Sequence, residues 1–277
     1  MTNHLSIIFA VAIAAAFACG AQAPSTPSNA APPFIVNGEI KLAYAIDMPA
    51  GPGPFPAIVM AHGSGQVTRH DQGYFAREWL NLGFAVLRYD KRGVGESTGV
   101  YSGVGVGNGE RMIAELASDA AAAARFLRTR PRIDSKRVGL FGNSQAGWIL
   151  PHAARELGDV PFMVLWSGPV CTIGLENYYS DLAEWSSRPL DEVYAALPAY
   201  KGDAGYDPMP ALRAIRVPTL WLLGSDDRSI PVRDTVANLE GLAHSGKPYQ
   251  WRVYPGLGHS LSGQAWPDIA AFVERWK

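Results

Sequence analysis

A regular alternation between short apolar runs and helical segments constrains this chain most. Residues 57–61 are apolar at every position, which is typical of a strand buried on both faces of a sheet. Such runs, with a looser alternation near the N-terminus, predict strands at Ile40–Ile46, Ala57–Ala61, Phe84–Tyr89, Val138–Phe141, Phe162–Trp166, Thr219–Leu223 and Tyr249–Tyr254. Helical spacing predicts helices at Tyr74–Leu82, Glu110–Arg130, Gln145–Leu157 and Ile269–Trp276. The alternation indicates an α/β fold with a mostly parallel, doubly wound sheet, whose ligand sites lie beyond the carboxyl ends of the strands.

The segment Gly142–Gly147 joins a predicted strand to a predicted helix and reads Gly-Asn-Ser-Gln-Ala-Gly. A sharp strand-to-helix turn of this pattern exposes a serine hydroxyl at the edge of the sheet. Small residues two positions before and after the serine, here Gly142 and Ala146, let the strand and the helix approach closely. Alanine at 146 replaces the more usual glycine. The pattern predicts Ser144 as the nucleophile of an acyl transfer, and the alternative is a serine that only caps the helix.

A serine nucleophile needs a base to take its proton, and the chain has six histidines. His259 lies in a glycine-rich loop after the last predicted strand, so we predict it as the base. His62 belongs to a His-Gly turn after a strand and is predicted to be structural. The remaining histidines lie in the N-terminal apolar segment, in loops, or too far along the serine's helix to reach back: His4, His70, His152 and His244, the last in a polar loop.

The base needs an acid that orients its imidazole, and in this kind of fold the acid lies between the serine and the histidine in the chain. Asp226 and Asp227 both follow the predicted strand Thr219–Leu223. Spacing alone does not separate these two aspartates. Glu176, beyond the preceding strand, is a third candidate.

Acyl transfer also needs backbone N–H donors for the oxygen of the tetrahedral intermediate. One donor is predicted at Gln145, directly after the nucleophile. The second is expected in the His-Gly-Ser-Gly turn at residues 62–65, after the strand that ends at Ala61. We predict the N–H of Ser64, with Gly63 and Gly65 as alternatives.

Taken together these motifs make the chain resemble the α/β-hydrolase superfamily over residues 34–277, most of all its bacterial esterase and serine-aminopeptidase-like branch. The motifs occur in the family's order: the 62–65 turn, Tyr89–Ser97, the Ser144 turn, Gly224-x-x-Asp227-x-x-x-Pro231 and Gly258-His259. The family pattern implies that Asp227 rather than Asp226 is the acid. It also implies that Asp90, Arg92 and Glu96 are structural.

The resemblance implies a serine hydrolase that cleaves carboxylic esters through an acyl-Ser144 intermediate, with His259 as base and Asp227 as its acid. A small ester with an uncharged acyl group is the expected substrate. A peptidase acting on short peptides is the nearest alternative, with Glu176, Asp181 or Glu184 to bind a substrate amine. An acyltransferase and a non-catalytic binding protein on the same fold are more remote alternatives.

The N-terminal residues predict export. Leu5–Ala18 is an apolar run too short to span a bilayer, and residues 1–23 resemble a secretory or lipoprotein signal. Cleavage after Ala23 and lipidation of Cys19 both remain open, so the protein is expected in the periplasm, secreted, or anchored by a lipid. Residues 24–33 read as a flexible tether before the domain at 34–277. About residues 171–210 are predicted to form a small helical lid, whose aromatic residues either line an acyl pocket or pack the lid onto the body.

Charge and cysteine content exclude several classes of partner. The net charge is −1, from 24 basic and 25 acidic residues, so neither nucleic acid nor an anionic membrane surface is an expected partner, apart from the lipid anchor. We expect no metal or cofactor, because no cluster of His, Cys or Asp has ligand spacing. Cys19 and Cys171 are the only cysteines, and Cys171 is expected to pack as a small apolar residue. The oligomeric state is not predicted.

Overall fold

The structure is a computed structural model that describes residues 33–184 and 188–277. The predicted export signal, almost all of the tether, Cys19 and Trp185 lie outside these residues, so export and lipidation stay predictions. The strands are β1 (Phe34–Asn37), β2 (Ile40–Asp47), β3 (Phe55–Ala61), β4 (Ala85–Tyr89), β5 (Ile133–Asn143), β6 (Met163–Trp166), β7 (Thr219–Gly224) and β8 (Tyr249–Tyr254). The helices are α1 (Gly73–Asn81), α2 (Gly109–Arg128), α3 (Ala146–Leu157), α4 (Ile173–Glu184), α5 (Leu190–Ala196), α6 (Met209–Ala214), α7 (Val232–His244) and α8 (Trp266–Val273), with 3₁₀ turns at Leu197–Ala199 and Glu274–Trp276.

The eight strands form one sheet in the order β1-β2-β4-β3-β5-β6-β7-β8. The pairs β1–β2 and β2–β4 are antiparallel, and all other neighbours are parallel. From β3 the chain crosses to β4 on one side and later returns to β5 on the other side. The sheet therefore has its topological switch point between β3 and β5, where ligand sites of such sheets lie. The predicted mostly parallel, doubly wound α/β sheet is confirmed.

Both faces of the sheet are covered, which explains the continuous apolar run in β3. Alternate residues of a strand point to opposite faces. Val59 packs in a cluster with residues of α2, α3 and α7, whereas Ile58 and Met60 pack in a second cluster with α1 and α8. A strand between two helical layers has no polar face, so every position of β3 can be apolar.

The segment predicted as a lid contains α4, α5 and the first 3₁₀ turn, with a small core of its own around Tyr179, Ala183 and Val193. Its tyrosines pack against one another: the rings of Tyr178 and Tyr200 stack with centroids 5.1 Å apart, and Tyr179 contacts Tyr194 at 5.2 Å. These contacts favour the packing role over a pocket lining for the described tyrosines.

The predicted strands and helices all occur, with shifted ends, but β1, α6 and α7 were not predicted and one placement was wrong. His244 is the last residue of α7 rather than part of a polar loop. The buried residues of α7, which include Val232, Leu239 and Leu242, have helical spacing, so the signal was present among the polar residues between them. Strand β1 is only four residues long and pairs with β2 through a turn at Gly38, too short for a pattern. No described helix is long and apolar enough to cross a membrane.

Candidate active site

Ser144 lies directly after β5, in the turn that leads into α3. Its φ of 51° is in the left-handed region, which is strained for a residue with a side chain. Two hydrogen bonds hold this backbone: the Ser144 N–H donates to the carbonyl of Trp166 at 2.8 Å, and the Gly147 N–H donates to the carbonyl of Ser144 at 2.8 Å. A Cβ on Gly142 would collide with the Cβ of Ala146. The turn therefore requires small residues where the sequence has them.

The two residues predicted as base and acid are in direct contact. Nδ1 of His259 lies 2.8 Å from Oδ2 of Asp227, although the two residues are 32 positions apart in the chain. Oδ1 of the same carboxylate accepts backbone N–H groups from Ser229 at 2.8 Å and Ile230 at 3.1 Å. The carboxylate can only accept, so the hydrogen of the His259 contact resides on Nδ1 and leaves Nε2 free to act as a base.

Asp227 is completely buried, whereas its neighbour Asp226 is exposed. The carboxylate of Asp226 instead accepts a hydrogen bond from the hydroxyl of Ser225 at 2.6 Å. The geometry thus places Asp227, and not Asp226, against the imidazole. The lid contributes to this position, because the hydroxyl of Tyr179 on α4 donates to the backbone carbonyl of Asp227 at 2.6 Å.

The environment of His259 raises the pKa of its imidazole above the ordinary 6.5. Burial acts to lower this pKa, but the hydrogen bond and the negative charge of Asp227 outweigh burial, with smaller contributions from Glu176 and Glu184. The imidazolium that forms when His259 takes a proton is therefore stabilised, as the base in an acyl transfer requires.

Ser144 and His259 line the same cavity, which has a volume of about 390 Å³. Gly63 and Ser64 line it as well, so the 62–65 turn faces the predicted nucleophile. The register of the sheet explains this, because Ala61 at the end of β3 pairs with Gly142 near the end of β5. Parallel strands in that register deliver the turn and the serine to one edge of the sheet.

The predicted oxyanion donors are backbone N–H groups of Ser64 and Gln145. Within residues 33–184 and 188–277, neither group donates a hydrogen bond to the protein backbone. Gln145 is buried at the start of α3, and its side-chain amide donates to the Ser64 hydroxyl at 3.4 Å. The two segments that would bind an oxyanion are therefore in contact with each other.

Lys91 is a residue of this site that the sequence reasoning missed. Its side chain is fully buried, and Nζ donates to the carbonyl oxygens of Gly63 and Gly65, each at 2.7 Å. The ammonium also lies 4.2 Å from the ring centroid of Tyr101, a cation–π contact. The sequence signal for Lys91 was its position within the family motif Tyr89–Ser97. The family pattern drew attention to Asp90 and Arg92 in that motif instead. Burial lowers the pKa of Lys91 to about 7.

The other sequence candidates lie around the site rather than in it. His62 is buried with Nε2 2.6 Å from the carbonyl of Tyr89, and burial, with the nearby charge of Lys91, lowers its pKa to about 3. It is therefore a neutral structural residue. Asp90 accepts hydrogen bonds from the backbone N–H groups of Arg69 and Glu96, which fits the structural role that the resemblance implied.

Among the acidic residues of the lid, Glu176 and Glu184 both raise the pKa of His259 through their negative charge, and Glu176 has the larger effect. Burial raises the pKa of Glu176 to about 7, against the opposing effect of His259. Asp181 is exposed, and the Glu184 carboxylate accepts a hydrogen bond from the hydroxyl of Ser229 at 2.5 Å. Glu176 is thus the lid carboxylate best placed to meet a bound substrate.

Comparison with known proteins places this geometry in a family context. The profile of the prolyl oligopeptidase family matches residues 70–276, a range that includes Ser144, Asp227 and His259 but begins after the 62–65 turn. The acylamino-acid-releasing enzyme of Rattus norvegicus is 23% identical over 227 residues, which cover 75% of this chain and 29% of that enzyme. The chain therefore spans less than a third of the length of this curated relative.

Two solved structures show the same fold over nearly their whole length. An esterase of Pyrococcus furiosus aligns with a TM-score of 0.64 and 20% identity, covering 88% of this chain and 89% of the esterase. A dienelactone hydrolase of Anabaena variabilis aligns with a TM-score of 0.55 and 22% identity, covering 88% of this chain and 94% of that chain. At these identities the likeness establishes the fold alone, and the predicted α/β-hydrolase fold is confirmed.

Proposed function

The chain belongs to the prolyl oligopeptidase family of esterases and peptidases on the α/β-hydrolase fold, and we propose that it hydrolyses carboxylic esters through an acyl-Ser144 intermediate. The resemblance to the α/β-hydrolase superfamily is thereby confirmed. One observation carries the proposal of mechanism: a buried Asp227 bonds Nδ1 of His259, and His259 shares a cavity with the strained Ser144.

The proposed reaction has two steps. His259 takes the proton of the Ser144 hydroxyl while Oγ attacks the ester carbonyl, and the N–H groups of Ser64 and Gln145 stabilise the oxyanion. His259 then gives the proton to the alcohol oxygen as the ester C–O bond breaks. His259 then deprotonates a water molecule, which attacks the acyl-serine carbonyl, and His259 returns the proton to Ser144 Oγ as the acyl C–Oγ bond breaks and the acid is released.

The extent of the structural likeness favours an ester substrate. The Pyrococcus esterase matches this chain along almost all of both proteins, whereas the acylamino-acid-releasing enzyme matches over less than a third of its own length. The rings of Tyr178 and Tyr200 pack against each other, as do those of Tyr179 and Tyr194. None of these four lid tyrosines lines the cavity beside Ser144, which leaves it open to small substrates.

A peptidase is the second candidate function. The family contains peptidases, and the Glu176 carboxylate near His259 could bind a substrate amine. Hydrolysis rates of p-nitrophenyl acetate and of alanine p-nitroanilide, an anilide with a free amine, discriminate the two functions. Under the ester proposal the acetate is turned over and the anilide is not. Turnover of the anilide that Glu176→Gln abolishes would favour the peptidase instead.

A fluorophosphonate probe tests the nucleophile. We expect the native protein to be labelled and Ser144→Ala to be unlabelled, with a loss of about 10⁶-fold in kcat for p-nitrophenyl acetate. Ser135→Ala is the matched control, because Ser135 is an exposed serine on the same strand β5. Labelling that survives in Ser144→Ala would overturn the assignment.

A further inference from the structure

A second cavity of about 510 Å³ lies beside the catalytic one. We call it the aromatic pocket, and define it by Tyr74, Phe75, Trp166, His259 and the loop residues Ser262 and Gly263. It shares Phe75, Asn143 and His259 with the cavity of Ser144, but neither Ser144 nor the 62–65 turn lines it. The two cavities therefore meet at these three residues, which include the imidazole of the proposed base.

The wall of the aromatic pocket is preformed. The ring of Phe75 packs against Trp166 with centroids 5.2 Å apart, and Trp166 is almost completely buried. The Tyr74 hydroxyl accepts a hydrogen bond from the indole N–H of Trp266 at 3.0 Å. Aromatic side chains held by their neighbours in this way present fixed apolar surfaces to a ligand.

The opposite wall is a strained loop. Leu261 and Ser262 follow His259 closely and have φ values of 52° and 53°, so two consecutive residues with side chains are in the left-handed region. Burial of the Leu261 side chain keeps the loop in this conformation. Such strain persists where the surrounding structure enforces it, and it is concentrated at functional sites.

The position of the aromatic pocket identifies which part of a substrate it meets. In acylation, Ser144 Oγ bonds the carbonyl carbon, the ester C–O bond breaks, and the proton taken from Ser144 passes through His259 to the alcohol oxygen. The alcohol oxygen therefore lies against His259. A cavity that touches His259 without touching Ser144 or the oxyanion donors receives the group bonded to that oxygen.

We propose that the aromatic pocket binds the alcohol part of the ester and selects alcohols with a compact aromatic ring. The inference rests on the proposed ester hydrolysis. The lining of the pocket indicates the kind of alcohol that it selects. Three aromatic side chains form the wall, and polar groups of Asn143, Ser260 and Ser262 lie around it. Aromatic rings pack against one another in offset or edge-to-face geometry, which these fixed side chains provide.

Acetates of benzyl alcohol and of ethanol test the selection, because these alcohols have similar acidity and carry the same acyl group. We expect kcat/KM of the native protein to be higher for benzyl acetate. Gly263→Leu should fill the pocket, since a Cβ at Gly263 would meet only the Tyr74 hydroxyl, at 3.8 Å. This variant should lower the ratio of kcat/KM for benzyl acetate to kcat/KM for ethyl acetate by about tenfold or more.

Gly241→Leu is the matched control, because Gly241 is exposed on α7 and a Cβ there would meet nothing within 4 Å. This control should leave kcat/KM unchanged for both benzyl acetate and ethyl acetate. Ethyl phenylacetate carries its ring on the acyl side and tests whether the pocket binds the acyl group instead. Gly263→Leu should change kcat/KM for this ester by the same factor as for ethyl acetate.

Two outcomes would overturn the assignment of the pocket. One is a preference for benzyl acetate that Gly263→Leu leaves unchanged, whether or not both rates fall. The other is a selective loss for ethyl phenylacetate, which would make the cavity an acyl site. In each case Ser144-dependent labelling and ethyl acetate hydrolysis show that the proposed function itself stands. Absence of both labelling and hydrolysis in the native protein would instead overturn the proposed function, and the pocket with it.

Discussion

At the scale of single residues, Lys91 shows how a buried charge can shape a site that it does not line. Its ammonium holds the carbonyl of Gly63, and that carbonyl belongs to the same peptide unit as the N–H of Ser64. In a planar trans peptide the C=O and N–H groups point in opposite directions. Because Lys91 fixes the direction of the Gly63 carbonyl, it also fixes the direction of the Ser64 N–H, which is the predicted oxyanion donor.

Lys91→Met tests this positioning role. The variant keeps the length of the side chain but removes the donor to two carbonyl oxygens, so we expect a loss of about 1–3 kcal/mol in the free energy of unfolding. If the N–H of Ser64 loses its direction, kcat should fall by about 10²–10³-fold while KM changes little. Steady-state kinetics and chemical denaturation measure the two effects.

Lys136→Met is the control, because Lys136 is exposed and its side chain makes no ion pair with the described residues. A variant at 91 that is less stable but keeps its kcat would assign Lys91 to the fold alone.

Asp227→Asn tests the acid through the pH dependence. The pKa of His259 is raised because Asp227 outweighs burial, so kcat/KM should fall as the pH drops through this raised pKa and the base becomes protonated. Without the charge of Asp227, burial lowers the pKa of His259, and the acidic limb of the profile should move to lower pH. The plateau rate should fall by about 10⁴-fold.

Asp226→Asn provides the contrast, since Asp226 is the neighbouring aspartate and bonds only Ser225 among the described side chains. Its profile should match that of the native protein. A shifted limb in Asp226→Asn, with none in Asp227→Asn, would reverse the assignment of the acid.

At the scale of elements, the contact of α3 with the segment after β6 depends on a glycine. A Cβ on Gly147 would lie 2.7 Å from the backbone nitrogen of Pro169 and 2.8 Å from its Cδ. Backbone atoms cannot rotate away as a side chain can. The sequence pattern emphasised Gly142 and Ala146 around the nucleophile, whereas the structure adds Gly147 as the residue that lets the helix approach β6.

Gly147→Ala should therefore lower the free energy of unfolding by about 1–3 kcal/mol, as expected of overpacking. Urea denaturation measures the change, and the m-value should stay constant if the unfolded state is unaffected. Gly241→Ala is the matched helical control, because its Cβ has free space, and it should raise stability by about 0.4–1 kcal/mol. Equal stability of the Gly147→Ala and native proteins would show that α3 can shift without cost.

At the scale of the whole molecule, the site exists because strands from distant parts of the chain end at one edge of the sheet. The end of β3 carries the 62–65 turn, β5 carries Ser144, β7 leads to Asp227, and β8 leads to His259. The sheet order places these ends along one edge, with Ser144 beside the topological switch point. Each partner therefore follows a strand of the same sheet, and three of these strands lie in its interior, whereas β8 is a partly exposed edge strand.

The sequence by itself determined the sheet and helix pattern, the Ser144 turn and the order of serine, acid and histidine. These features are local, since apolar periodicity and small residues around a turn are visible within a few positions. Even there, β1 is too short to give a pattern, and the helical spacing of α7 was missed among its polar residues.

Only the tertiary structure decided the contacts between residues far apart in the chain. Asp226 and Asp227 are adjacent and chemically identical, and burial against His259 distinguishes them. Lys91 meets the carbonyls of Gly63 and Gly65 across 28 and 26 positions, and the aromatic pocket joins α1, β6 and the loop after β8. These contacts depend on side-chain direction and on strand register, and neither is encoded within a local stretch of sequence.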